Sequence, residues 1–269
     1  MHLTSSLPKA ALLVIALGGL ALATFAEIQD KKVTYDDTPR LPDQAYKVHG
    51  ERPLPPVVTP SASAGAPSDA TVLFDGSNLD EWRTGSKDAA WDLVDNFMRV
   101  NGTGSIQTRR EFGDIQLHLE YSCPTPPKGN SQGRGNSGIH FMGRYELQIL
   151  DCFENRTYPD GQTSALYGQW PPLVNACLPP GEWTTLDVIF EAPVFEGETL
   201  QKPARITALH NGVLVHHAKD FIGATGHRRV AIYKAHPSKG PIQLQDHGNP
   251  VRFRNIWVRE LSGYDTSDH

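Results

Sequence analysis

From residue 71 onward, apolar positions recur every second residue rather than every three to four, which is the period of a strand and not of a helix. Ile115, Leu117, Leu119 and Tyr121 alternate with Gln116, His118 and Glu120. Ile139 and Phe141 alternate with Gly138 and His140, and Leu147 and Ile149 with Glu146 and Gln148. The same rhythm runs through Leu186, Val188 and Phe190, and again through Ile242 and Leu244. Asn211-Gly212 between RITALH and VLVHH predicts a two-residue hairpin, because both positions tolerate a positive φ. No window of a dozen residues carries an amphipathic helical pattern. Many short strands separated by Gly- and Pro-containing turns predict an all-β sandwich or barrel.

The first 70 residues follow a different rule. Lys9 precedes a short apolar run, residues 10–25, and Thr24-Phe25-Ala26 is a small-x-small site. That arrangement predicts a signal peptide cleaved after Ala26, with an uncleaved anchor as the alternative. No other segment is apolar enough to span a bilayer, so no stable membrane span is expected after cleavage, and the mature chain is expected in the periplasm or outside the cell. Residues 27–70 hold seven prolines and the small-residue stretch SASAGAPSDA. They are assigned as a Pro-rich linker, since such a composition buries too little apolar area to offset its ordering entropy. The folded domain is placed at 71–262, followed by a tail at 263–269.

Composition narrows the function. Lys+Arg is 25 against Asp+Glu 30, a formal net charge of −5, and no basic run exceeds two residues. That disfavours a nucleic-acid partner, which calls for a basic stripe. Cys123, Cys152 and Cys177 are too few for a disulfide scaffold and match no zinc spacing. One bridge plus a free thiol, or no bridge, are both compatible. Several strands instead carry a face of amides, imidazoles and carboxylates: Asn136 and His140, Glu146 and Gln148, and Gln243, Gln245 and His247. Such a face suits a concave sugar-binding surface. A solvated outer face is the alternative.

Individual residues sharpen this picture. In YELQILD (145–151), Glu146 and Gln148 share the face opposite Leu147 and Ile149. A bulge near Leu150 would bring Asp151 round to Glu146, giving two carboxylates for acid–base work on a glycosidic bond. A polar sheet face with Asp151 starting a turn is the competing reading. In GPIQLQDHG (240–248), His247 beside Asp246 is a candidate acid or base, its imidazole raised by the neighbouring carboxylate. The offset between Phe253 and Ile256 predicts a bulge at Arg254-Asn255, which could aim Arg254 into the cleft to hold hydroxyls or a carboxylate. Trp170, in the loop YGQWPPL, is a candidate stacking platform. No P-loop, GxGxxG, HExxH or GxSxG motif is present. No cofactor is predicted. A divalent cation such as Ca²⁺ is compatible with the acidic residues, but no ligand run marks a site.

The ordered segments LFDGSNLDEW (73–82), NSGI (136–139), YELQILD (145–151), SALYG (164–168), PGEWTTLDVIF (180–190), HNGVLV (210–215), GPIQLQDHG (240–248) and FRNIWVREL (253–261) together resemble the 3-keto-disaccharide hydrolase domain family. The likeness runs from about Thr71 to Leu261. It implies a concanavalin A-like jelly-roll β-sandwich, an exported protein and a carbohydrate partner. The activity it implies is cleavage of 3-keto-glycosides: a base removes the C2 proton, the C1 substituent is eliminated and water adds back. The residues suggest Glu146 or His247 as acid and base, with Asp151 orienting. Asn136, His140, Gln148, Tyr167, Trp170, Gln245 and Arg254 would hold the sugar. Two alternatives remain open at this point. One is a non-catalytic carbohydrate-binding module. The other is an ordinary retaining glycoside hydrolase, through the faint echo of Glu-x-Asp-x-x-Glu at Glu146, Gln148 and Asp151.

Overall fold

The computed structural model describes residues 34–61 and 65–264. The proposed signal peptide lies outside the described residues. Residues 34–55 belong to a small unit of their own, a turn in which Leu41 N donates to Tyr46 O at 2.9 Å and Val48 N to Pro39 O at 2.9 Å.

The main unit is built from two antiparallel sheets. Among the described residues it contains no α-helix and two short 3₁₀ turns, Ser131–Gly133 and Pro159–Gly161. In chain order the strands are β1 (Thr71–Phe74), β2 (Trp82–Thr84), β3 (Lys87–Asp88), β4 (Asp92–Val94), β5 (Phe97–Arg99), β6 (Ile106–Thr108), β7 (Ile115–Ser122), β8 (Ser137–Phe141), β9 (Tyr145–Ile149), β10 (Thr184–Glu191), β11 (Val194–Glu196), β12 (Thr199–Lys202), β13 (Arg205–His210), β14 (Val213–Asp220), β15 (Gln243–Leu244) and β16 (Arg252–Glu260). One sheet runs β14-β13-β10-β7-β16-β5-β4, with β1 also paired to β16; the other runs β3-β2-β6-β15-β8-β9. The small β11–β12 ribbon stands apart from both. This is the expected jelly-roll β-sandwich, and the Asn211-Gly212 hairpin joins β13 to β14 with φ of 53° and 73°.

Alternation decides which face each strand buries. Ile115, Leu117, Leu119 and Tyr121 of β7, and Leu186, Val188 and Phe190 of β10, point into the core. The sheets meet where Phe141 of β8 stacks on Phe190 of β10, centroids 4.6 Å apart at 11°, an offset-stacking distance for aromatic rings. The six-stranded sheet buries Ile139, Leu147, Ile149 and Leu244 against that core. Period 2 then sends His140, Glu146 and Gln148 to its other face.

The bulge expected at Arg254-Asn255 is present: the β16–β7 register shifts between Arg254 and Trp257, and Asn255 has a φ of 47°. Its consequence differs from the expectation. Phe253 and Ile256 both enter the core, so Arg254 is sent to the outer face of the eight-stranded sheet. There its Nε donates to Glu120 Oε2 at 2.7 Å, and its guanidinium lies 4.0 Å from the Trp183 ring centroid. Arg254 is therefore a structural residue remote from the polar face of β8, β9 and β15.

The three cysteines are unbridged. Cys123 and Cys152 are buried, and Cys152 Sγ accepts a hydrogen bond from Thr163 N at 3.1 Å. No helix among the described residues is long and apolar enough to cross a membrane.

Candidate active site

The polar face of β8, β9 and β15 forms the floor of a cavity of about 380 Å³, within the range of small-molecule sites. Asn136, His140, Glu146, Gln148, Tyr167, Gln245 and His247 all line it. Sheet register explains the convergence. His140 is directly opposite Glu146 and Gly138 opposite Gln148 in the β8–β9 ladder, while Gln243 pairs with His140 across β15. Gln245 N donates to Gly138 O at 2.9 Å, extending the β15 side of the floor.

His140 Nε2 lies 3.8 Å from Glu146 Oε1. Glu146 is buried and His140 largely so, and desolvation disfavours charge on each. Burial pushes the Glu146 carboxyl up to about 8 and the His140 imidazole down to about 4. At neutral pH the site thus presents a protonated carboxyl facing a neutral imidazole. This is one donor and one proton acceptor, set apart by environment. Gly138 makes the arrangement possible: a Cβ there would lie 2.6 Å from Glu146 Oε1, so the carboxyl occupies the space a side chain would fill.

The floor carries acceptors without partners in the protein. Gln148 Oε1 and Gln245 Oε1 are buried and unbonded, although a buried polar atom is normally paired. The other end of the Gln148 amide is fixed: its Nε2 donates to Gln132 Oε1 at 3.0 Å, and Gln132 Nε2 in turn donates to Thr157 Oγ1 and Gly161 O, each at 2.8 Å. Two carbonyl oxygens without partners, on residues that line a polar cavity, suit hydroxyl donors such as those of a sugar. Tyr167 stands on the wall, its hydroxyl bonded to Tyr158 Oη at 2.8 Å and His227 Nδ1 at 2.9 Å. Burial together with the Tyr158 contact raises its phenol, which keeps the proton on.

Two further candidates lie elsewhere. Asp151 is buried, but β9 ends at Ile149 and the carboxylate turns to Arg134, whose Nε donates at 2.7 Å. Arg134 also donates to Phe153 O at 2.9 Å, so the pair clamps the loop before β8 and lines no part of the cavity. Trp170 is half-exposed, with Lys219 Nζ 3.2 Å from its ring centroid, and is also absent from the cavity wall. His247 lines the cavity, but not as a dyad with Asp246. That carboxylate accepts from Gly104 N and Gly248 N, both at 2.9 Å. Among the lining residues Glu146 is the one carboxylate, so the two-carboxylate arrangement of an ordinary retaining hydrolase is not formed. Gln132, Tyr158, Thr225, His227 and Arg229 complete the wall and were not evident from the sequence. The polar loop before NSGI was the available signal for Gln132. The segment 225–229 has no strand period to mark it. Among the described residues no group of three or more His, Cys, Asp or Glu side chains is placed to hold one metal ion.

The shifted groups carry a stability consequence. Unfolded, Glu146 ionises from about pH 4.5; folded, it keeps its proton to about 8. The unfolded state therefore binds fewer protons in that window, and folding weakens as pH rises. Glu146→Gln is expected to be more stable than wild type, by an increment growing up to about 1.4 kcal/mol per pH unit between those limits. Urea unfolding at pH 4.5, 6 and 8 checks this. A gain independent of pH would contradict it.

A jelly-roll sandwich whose sheet floor presents amides, an imidazole and a protonated carboxyl in one polar cavity defines a carbohydrate-active, glycosyl hydrolase-like domain. The chain belongs to the 3-keto-alpha-glucoside-1,2-lyase-like domain family, whose model matches residues 69–259. It is 23% identical over 240 residues to the 3-keto-disaccharide hydrolase of Bacteroides thetaiotaomicron, covering 71% of this chain and 78% of that one. It is 41% identical to a candidate glycosyl hydrolase crystallised from Parabacteroides distasonis, at a TM-score of 0.76, covering 86% of this chain and all of that one. A second Parabacteroides distasonis structure described in the same terms shares the fold at 19% identity and a TM-score of 0.52, covering 72% of this chain and 94% of that one.

Proposed function

We propose that this protein is an exported enzyme that cleaves 3-keto-glycosides by abstracting the C2 proton. The observation that carries the reading is His140 facing Glu146 across the β8–β9 ladder at 3.8 Å, where burial favours the neutral form of each. A ketone at C3 acidifies the hydrogen on C2, so the reaction needs a neutral base, a donor to the developing enolate oxygen and a donor to the departing oxygen. His140 takes the C2 proton and the C–H electrons move into the enolate. Glu146 hydrogen-bonds the enolate oxygen in its protonated form. The enolate then reforms the ketone as the C1–O bond breaks, leaving a C1=C2 double bond, and Tyr167, in contact with His227, donates to the leaving oxygen. Water adding across the double bond restores a 3-keto sugar and makes the net reaction a hydrolysis. Gln148 and Gln245 accept hydroxyl hydrogens, and Asn136 and His247 close the polar wall. The family's lyase-like description and the hydrolase name of the Bacteroides relative fit the two stages of this sequence.

The base differs from the one the sequence suggested. Glu146 is poorly suited to remove a proton near neutrality while it retains its own, whereas His140 has a free acceptor nitrogen. The test is incubation with a 3-keto-glucoside and its unoxidised parent. Release of 3-ketoglucose from the oxidised sugar, with the parent untouched, is expected. Binding of either sugar without release would instead favour a non-catalytic module.

A further inference from the structure

A second cavity, of about 670 Å³, adjoins the first and shares Tyr158, Tyr167, Gly226, His227 and Arg229 with it. Its chemistry is different. The first cavity offers amide oxygens without partners, whereas in the second the amide and the tyrosine hydroxyls are already engaged. Gln169 Nε2 donates to Gly223 O at 3.0 Å and its Oε1 accepts from Ile222 N at 2.6 Å. The Tyr158 and Tyr167 hydroxyls bond each other, and Tyr167 bonds His227. What faces the cavity besides these is Ile222, Val230, Ala231, the Arg228 and Arg229 side chains and Asp160. Ile222 and Val230 are solvent-exposed, apolar surface that an apolar ligand group would cover.

We propose that this cavity is the subsite for the aglycone and that it is shaped for a flat aromatic group rather than a second sugar. The inference rests on the first cavity being the 3-keto-glycoside site. The shared tyrosine wall then marks where the C1–O bond crosses from one cavity to the other, with Tyr167 beside the departing oxygen. A second hexose would present several hydroxyl donors to a wall whose one carboxylate acceptor is Asp160, whose Gln169 amide is already bonded and whose guanidiniums, Arg228 and Arg229, only donate. Leaving a hydroxyl unpaired on binding is costly. An aromatic ring needs none of those partners. It lies against Ile222, Val230 and the tyrosine rings, and the guanidinium planes of Arg228 and Arg229 can stack on its face.

The test compares two oxidised substrates that both expel an alkoxide, the sugar alkoxide being the better leaving group, so a preference for the aromatic substrate cannot come from leaving-group strength: 2-phenylethyl 3-keto-glucoside and a 3-keto-disaccharide. The wild-type protein is expected to favour the phenylethyl substrate in kcat/KM. In Ile222→Ser/Val230→Ser, both surface positions, that preference should fall about tenfold, the scale of a few methylene contacts. A wild-type preference for the disaccharide, or a preference unmoved by the double substitution, would overturn the proposal. If neither oxidised substrate is cleaved, the reading of the first cavity fails. Calorimetry then judges the second alone, with unoxidised 2-phenylethyl glucoside against methyl glucoside. Tighter binding of the aryl sugar that the double substitution abolishes supports an aromatic subsite, and equal affinities refute it.

Discussion

Glu146→Gln and His140→Asn are each expected to lower kcat on a 3-keto-glucoside by about 10²–10⁴-fold, the usual worth of a positioned acid or base. Binding of the sugar should change little, because Gln148 and Gln245 supply the hydroxyl contacts and neither is altered. The pH dependence gives the stronger discrimination. For the wild-type protein kcat/KM should rise through about pH 4 as His140 loses its proton and fall through about pH 8 as Glu146 loses its own. Glu146→Gln keeps a hydrogen-bond donor at the same place but cannot ionise. Its residual activity should therefore lose the alkaline limb and keep the acidic one. In His140→Asn the acidic limb should go instead. A profile unchanged in shape by both substitutions would place the acid and base elsewhere in the cavity, with His247 the next candidate.

The second large effect concerns a residue the sequence placed in the catalytic group. Asp151→Asn removes the charge that Arg134 meets at 2.7 Å, in a pair almost entirely buried. Breaking one side of such a pair typically costs about 3–5 kcal/mol, because the guanidinium remains buried without its counter-charge. For a domain of this size that corresponds to a drop in Tm of about 10 °C. Measured well below the new Tm, kcat should stay within about tenfold of wild type, since Asp151 lines no part of the cavity. The residual loss would come from the loop before β8, which positions Gln132 and through it Gln148. A fall in kcat of a hundredfold or more with Tm unchanged would restore a catalytic role to Asp151.

Strand periodicity made the architecture legible. A period of 2 in β7, β8, β9 and β10 identified both the core and the polar face, and the placement of Glu146, Gln148 and His140 on one surface follows from it directly. The errors share a cause. Alternation tells which two faces a strand has, but not which sheet the strand joins. Arg254 was correctly placed beside a bulge, yet β16 belongs to the eight-stranded sheet, so the bulge turns the side chain away from the cleft. Asp151 depended on a bulge continuing β9 past Leu150, whereas the strand stops at Ile149 and Arg134 of the loop before β8 claims the carboxylate. The Asp246–His247 adjacency was likewise sequential and not spatial, because two glycine amides hold Asp246. The proposal that His140 is a base, not a ligand contact, needed its cross-strand partner. A pKa is set by burial and neighbours, and neither is written in local sequence.

The decisive measurement is solvent-deuterium incorporation at C2 during turnover of a 3-keto-glucoside in D₂O, quenched early and corrected with preformed product for spontaneous exchange. Proton abstraction by His140 followed by elimination and hydration predicts one deuterium at C2 of the released 3-ketoglucose. Rapid release of 3-ketoglucose with only protium at C2 would show that the C2–H bond never breaks, and would contradict the mechanism built on the His140–Glu146 pair.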